Sequence, residues 1–93
     1  MRYKVKQASK PHELTSVEGT INVVDTEEST VSIIPEGGTE DDAIVLNVNP
    51  QTEIILDGEE ATLDDLDELG EGNSVRASYY LNNLKATQID VES

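Results

Sequence analysis

The sequence predicts a mostly β protein: a small antiparallel barrel of five to six strands with one short helix before the C-terminal hairpin. Three observations predict it. Apolar residues alternate with polar ones in several short runs, the period-two signature of half-buried strands. One stretch, "ATLDDLDELG", repeats leucine every third residue instead, which is a helical spacing. The chain has 93 residues and no Cys, Trp or Phe, so one modest core must be made of Val, Ile, Leu and Ala.

Residues 17–25, "VEGTINVVD", place Val17, Gly19, Ile21 and Val23 on one face. "TEEST" interrupts the run, and "TVSIIP" resumes it with Val31 and Ile33, so the pair reads as a hairpin that ends at Pro35. The acidic, turn-rich "EGGTEDD" leads into "AIVLNV", with Ile44, Leu46 and Val48 in phase. Asn49-Pro50 punctuates the chain before "TEIILDG", whose Ile54 and Leu56 point inward. Asp57-Gly58 suits a tight turn with positive φ.

In the leucine stretch, Thr62 and Asp65 form a Thr-x-x-acid capping arrangement, and Asp64 and Asp65 oppose the positive end of the helix dipole. Gly70 supplies a C-cap. The period then returns to two with Val75, Ala77, Tyr79 and Leu81, so Tyr79 is expected inside and Tyr80 outside. Asn82-Asn83 is expected to form a two-residue hairpin turn. Leu84 and Ala86 are out of step with Ile89 and Val91, which predicts a bulge near Thr87-Gln88. The expected core is Ile21, Val23, Val31, Ile33, Ile44, Leu46, Ile54, Leu56, Leu66, Val75, Ala77 and Ile89. A helix placed before a C-terminal hairpin is the order of an OB-like barrel; an SH3-like barrel or sandwich is the alternative.

Charge narrows function. Twenty acidic side chains face six basic ones, and Arg2, Lys4, Lys6 and Lys10 are four of the six. Residues 11–93 therefore carry two basic and twenty acidic groups, 2 − 20 = −18. Such a field repels phosphate backbones, so nucleic-acid binding is not expected. Apolar runs fall short of the ~20 residues that span a bilayer, so membrane insertion is not expected either and the protein reads as soluble. Residues 1–10 hold no apolar signal core: either Met1 is the native start, which favours the cytoplasm, or a signal has been removed.

"TEIILDGEEATLDDL", followed by "GEGNSVRASYYLNNLKATQIDV", resembles a bacterial family of OB-like domains of unknown function often found in envelope proteins. The likeness runs over residues 17–91 through Gly19, Thr52 with Ile54, Leu63 with Leu66, Gly72 to Val75, and Ala86 with Ile89. Asn73 stands where that family tends to have Asp. The resemblance implies an OB-like domain over residues 17–93, and a periplasmic or envelope location. Residues 1–16 have no counterpart in it and are expected to be a basic arm or an extra strand. It brings no catalytic residue.

Residues 52–72 hold nine carboxylates and no positive charge. An EF-hand reading fails: counted from Asp65, the fifth position is Leu69 and the twelfth Arg76. The remaining cation candidates are Glu40, Asp41 and Asp42 in one loop and Asp64, Asp65 and Asp67 on the helix, with a solvated acidic surface as the plainer reading. His12 is the sole imidazole and has no partner for a zinc pair. No nucleophile–base arrangement or sheltered carboxylate pair is evident, so the protein is expected not to be an enzyme and to need no cofactor. In "RYKVK", Arg2, Lys4 and Lys6 alternate with Tyr3 and Val5, giving a strand with one basic edge that could pair with a barrel edge in its own chain or a neighbour. The interaction candidates are thus Arg2, Lys4, Lys6 and the surface Tyr80. A non-catalytic structural or protein-interaction module is the expected function, with divalent-cation (Ca²⁺ or Mg²⁺) binding as the alternative.

Overall fold

The computed structural model describes residues 13–93. The elements run β1 (Leu14–Asp25), β2 (Thr30–Pro35), a 3-10 turn at Glu40–Asp42, β3 (Ile44–Asn47), β4 (Glu53–Leu56), β5 (Glu59–Glu60), α1 (Leu63–Leu69), β6 (Ser74–Tyr80) and β7 (Ala86–Glu92). They form one sheet in the order β3-β2-β1-β6-β7-β4-β5. β1 starts at Leu14, three residues before the boundary suggested by its alternation.

The sheet closes because β3 and β4 act as two halves of one strand. β3 pairs with β2 antiparallel, whereas β4 pairs with β7 in parallel, and an isolated parallel bridge joins Asn47 to Lys85. Between them Asn49 caps a turn, its side chain accepting the Gln51 N–H at 2.7 Å and its carbonyl the Thr52 N–H at 2.9 Å. The Thr52 hydroxyl donates to the Ala86 carbonyl at 2.7 Å and ties the turn to β7. At the seam, Asn47 donates its N–H to the Leu84 carbonyl at 2.7 Å and its side-chain N–H to the Asn83 carbonyl at 3.0 Å. The architecture is the small OB-like barrel that the element order predicts, with one short helix before the final hairpin; the sheet has seven strands rather than five to six, counting the two-residue β5, and the β4–β7 pair is parallel.

Nine of the twelve expected core residues are buried: Ile21, Val31, Ile33, Leu46, Ile54, Leu66, Val75, Ala77 and Ile89. Ile44 and Leu56 are partly buried against them. Val23 is a correction, being 52% exposed. Ile21 pairs with Ile33 but Val23 with Ser32, so Asn22 is an extra residue that flips the phase. Val24, opposite Val31, packs against the core instead. The core also takes in Val17, Tyr79, Ala86 and Val91.

The predicted bulge in the last strand is present at Thr87. Ser78 pairs with Gln88 and Tyr79 with Ala86, which leaves Thr87 over and lets Ala86, Ile89 and Val91 all face inward. The hairpin before it differs from expectation. Leu84, not an Asn, takes the left-handed conformation (φ 58°), and its N–H donates to the Tyr80 carbonyl at 2.8 Å. Leu81 and Leu84 thus belong to a longer loop and are 53% and 37% exposed. Asn83 serves the loop differently, its side chain accepting the Lys85 N–H at 2.9 Å. Asp57-Gly58 makes the expected tight turn, with φ 52° and 86°. The Asp57 carboxylate accepts the Ser93 hydroxyl at 2.5 Å and the Ser93 N–H at 2.9 Å, which holds its carboxyl below the usual carboxylate range.

α1 forms as its caps dictate. The Thr62 hydroxyl accepts the Asp65 N–H at 3.3 Å, and the Asp65 carboxylate accepts the Thr62 N–H at 3.0 Å. Leu66 is fully buried, Leu63 and Leu69 pack beside the core, and Gly70 ends the helix with φ 91°.

Candidate functional site

Pairing across three strands assembles a charged outer face. Glu18 of β1, Arg76 of β6 and Asp90 of β7 are successive cross-strand partners, so their side chains share one side of the sheet. Thr20, Ser74 and Glu92 form the next row on that side, two residues along each strand. The segment Pro35–Gly38 walls this face. The Glu36 N–H donates to the Glu18 carbonyl at 2.8 Å, and the Gly38 N–H to the Pro35 carbonyl at 2.8 Å.

The result is a groove of about 530 Å³ open to solvent, lined by these rows together with Ile34, Pro35 and the glycines at 37 and 38. Gly19 makes the approach of the wall possible. A Cβ built there would overlap the Ile34 carbonyl oxygen and lie 2.8 Å from its carbon and 3.0 Å from the Pro35 Cα. The groove holds four carboxylates (Glu18, Glu36, Asp90, Glu92) and one guanidinium, a net 1 − 4 = −3. Arg76 is ion-paired with Glu18, its Nε–H donating at 2.6 Å, while the two side chains stay 69% and 53% exposed. An exposed pair of this kind adds little stability, and its value lies in shaping the local field.

The acids singled out in the sequence lie elsewhere. Glu40, Asp41 and Asp42 occupy the exposed 3-10 turn, where the Asp42 carboxylate accepts the Thr39 N–H at 3.0 Å. Asp65 caps α1, and Asp64 and Asp67 are exposed on it. Among the described residues, no group of three or more His, Cys, Asp or Glu side chains is placed to hold a metal ion. Tyr80 ends β6 half-buried opposite Leu14, and its neighbour Tyr79 is buried. Arg2, Lys4 and Lys6 lie outside the described residues.

Sequence reasoning missed the groove itself. Glu18 and Arg76 are 58 residues apart, and only strand pairing joins them. The available signal was Arg76, the one arginine among the twenty acids of residues 11–93, on the outward phase of β6.

Comparison with solved proteins gives the architecture a relative. The chain shares its fold with CusF of Escherichia coli. Apo-CusF superposes with a TM-score of 0.62 at 16% identity, covering 96% of this chain and all of that one. CusF with Ag(I) gives 0.59 at 17% identity over 90% and 98% of the two chains. A Trp-to-Ala variant of CusF with Cu(II) gives 0.60 at 16% identity over 94% and 100%. No family model and no curated protein sequence matches the chain. Likeness at this identity carries the fold, a small OB-like barrel, and no function. Among the described residues no helix is long and apolar enough to cross a membrane.

Proposed function

We propose that the protein is a non-catalytic interaction module whose acidic barrel receives a basic, extended segment of a protein partner. One observation carries this reading. All twenty acidic groups belong to residues 13–93 against Arg76 and Lys85, and strand pairing together with the Pro35–Gly38 wall gathers four of those carboxylates around a concave face. A field of that sign speeds encounter with cationic partners and rejects anionic ones. An extended basic strand fits a sheet-walled groove by charge and by shape.

Catalysis has little to build on. The described residues contain no Cys or His, and of the groove's carboxylates Glu18, Glu36 and Glu92 are exposed and Asp90 is half-buried, rather than forming the sheltered pair that acid–base chemistry requires. The ions of the CusF structures do not transfer readily either. Soft ions favour thiolate and thioether donors and Cu(II) favours imidazole, and residues 13–93 hold no Cys, Met or His.

Calorimetry tests the reading against divalent-cation binding. An alternating Lys-Val peptide titrated into the full chain is expected to saturate at low stoichiometry and to weaken as salt is raised. Ca²⁺ and Mg²⁺ are expected to give only diffuse, salt-screened binding. Saturation by Ca²⁺ or Mg²⁺ at low stoichiometry, with no response to the peptide, would replace this reading with the cation-binding one.

A further inference from the structure

The groove has a candidate occupant within the same polypeptide. Arg2, Lys4, Lys6 and Lys10 supply four positive charges ahead of Glu13, and the groove presents a net of −3. In an extended chain Arg2, Lys4 and Lys6 fall on one side and Tyr3 and Val5 on the other. That pattern suits a surface with an acidic rim (Glu18, Glu36, Asp90, Glu92) and apolar patches at Ile34 and Pro35.

Reach favours the same molecule. Glu18 lies five residues along β1 from Glu13, about 16 Å at strand spacing. Arg2 to Lys6 stand seven to eleven residues before Glu13, which spans up to about 25–38 Å of chain. A tethered segment also acts at an effective concentration in the millimolar range, well above that of a second copy in ordinary solution. Other acidic surfaces exist, on the 3-10 turn and on α1. The hollow beside α1 is smaller, about 240 Å³, and holds two carboxylates, Asp67 and Glu71, whereas the groove holds four, on both strand rows and on its wall.

We propose that the segment Arg2–Lys10 seats in this groove of its own chain and competes there with an outside basic ligand. This presupposes the groove as a receptor for basic segments. The experiment compares amide NMR spectra of the full chain with those of an R2E/K4E/K6E variant. Gly37, Gly38 and Arg76 are the reporters, because they line the groove.

The expected result is a shift difference confined to the groove and independent of protein concentration. It should vanish near 1 M NaCl, where the Debye length is about 3 Å. Adding E36K and E92K to the variant should restore the contact by exchanging the charges, and both positions are exposed. E36Q/E92Q in the otherwise native chain should weaken the contact without reversing it. The variant R2E/K4E/K6E should also bind the Lys-Val peptide several-fold more tightly than the native chain. No groove shift, or shifts centred on α1 or the 3-10 turn, would overturn the assignment. Shifts that grow with concentration would assign the groove to a second copy instead. A peptide that binds neither form would sink the interaction reading while leaving the intramolecular contact to stand on its shifts.

Discussion

Replacing Gly19 with alanine is expected to cost the barrel about 3 kcal/mol, the upper end of what an overpacked site loses. The added methyl would overlap the Ile34 carbonyl oxygen, and its other near neighbours, the Ile34 carbonyl carbon and the Pro35 Cα, are backbone as well. Backbone cannot rotate away as a side chain can, so β1 and β2 must part where Gly19 faces Pro35. For a domain this size each kcal/mol moves the melting midpoint by roughly 4–8 °C, giving an expected loss of about 12–24 °C. Thr20→Ala, on the groove side of the next position, is the control and should move it little. A midpoint for Gly19→Ala within about 2 °C of the native protein would mean that β1 and β2 do not approach as described.

Leu66→Ala is expected to be comparably damaging, at about 2–5 kcal/mol. α1 has seven residues, too few to persist alone in water, so its stability comes from what it buries. Leu66 is its one fully buried side chain, and Leu63 and Leu69 only flank the core. Truncation leaves a cavity under a helix that has lost its anchor. Thermal melts of the three single alanine variants check the ranking, with Leu66 expected to lose more than either neighbour. Equal losses at all three positions would show that the helix is held by its whole apolar stripe.

The residues differ in how openly they announced their places. Thr62 with Asp65 and Asp57-Gly58 were legible because their geometry is local: caps and tight turns are decided within four residues. The misphasing of Ile89 against Ala86 revealed the Thr87 bulge because apolar residues lay on both sides of the slip. The Asn22 bulge escaped notice because Val23 and Val24 are both apolar, so either phase reads as a plausible strand. Leu84 carried no signal for its turn, since a leucine with positive φ is held there by the loop and not by its own preference. The groove was the least legible feature. It depends on Glu18, Arg76 and Asp90 meeting across three strands, and no local pattern encodes such a meeting.

β1 serves two partners that lie at very different distances along the chain, and this bears on the order of assembly. Its second half meets β2 across a loop of four residues, since Asp25 pairs with Thr30. Its first half must wait for β6, and Glu18 and Arg76 are 58 residues apart. Loop-closure entropy grows by about 0.6 kcal/mol per doubling of length, so the distant pairing starts roughly 2 kcal/mol behind the near one. The β1–β2 hairpin is therefore expected to form early, with the β1–β6 match completing the barrel late and slowly. Pulsed hydrogen exchange during refolding reads this directly. Amides paired between residues 20–25 and 30–34 should gain protection before those paired between residues 14–18 and 76–80, and simultaneous protection would mean that the barrel condenses in one step.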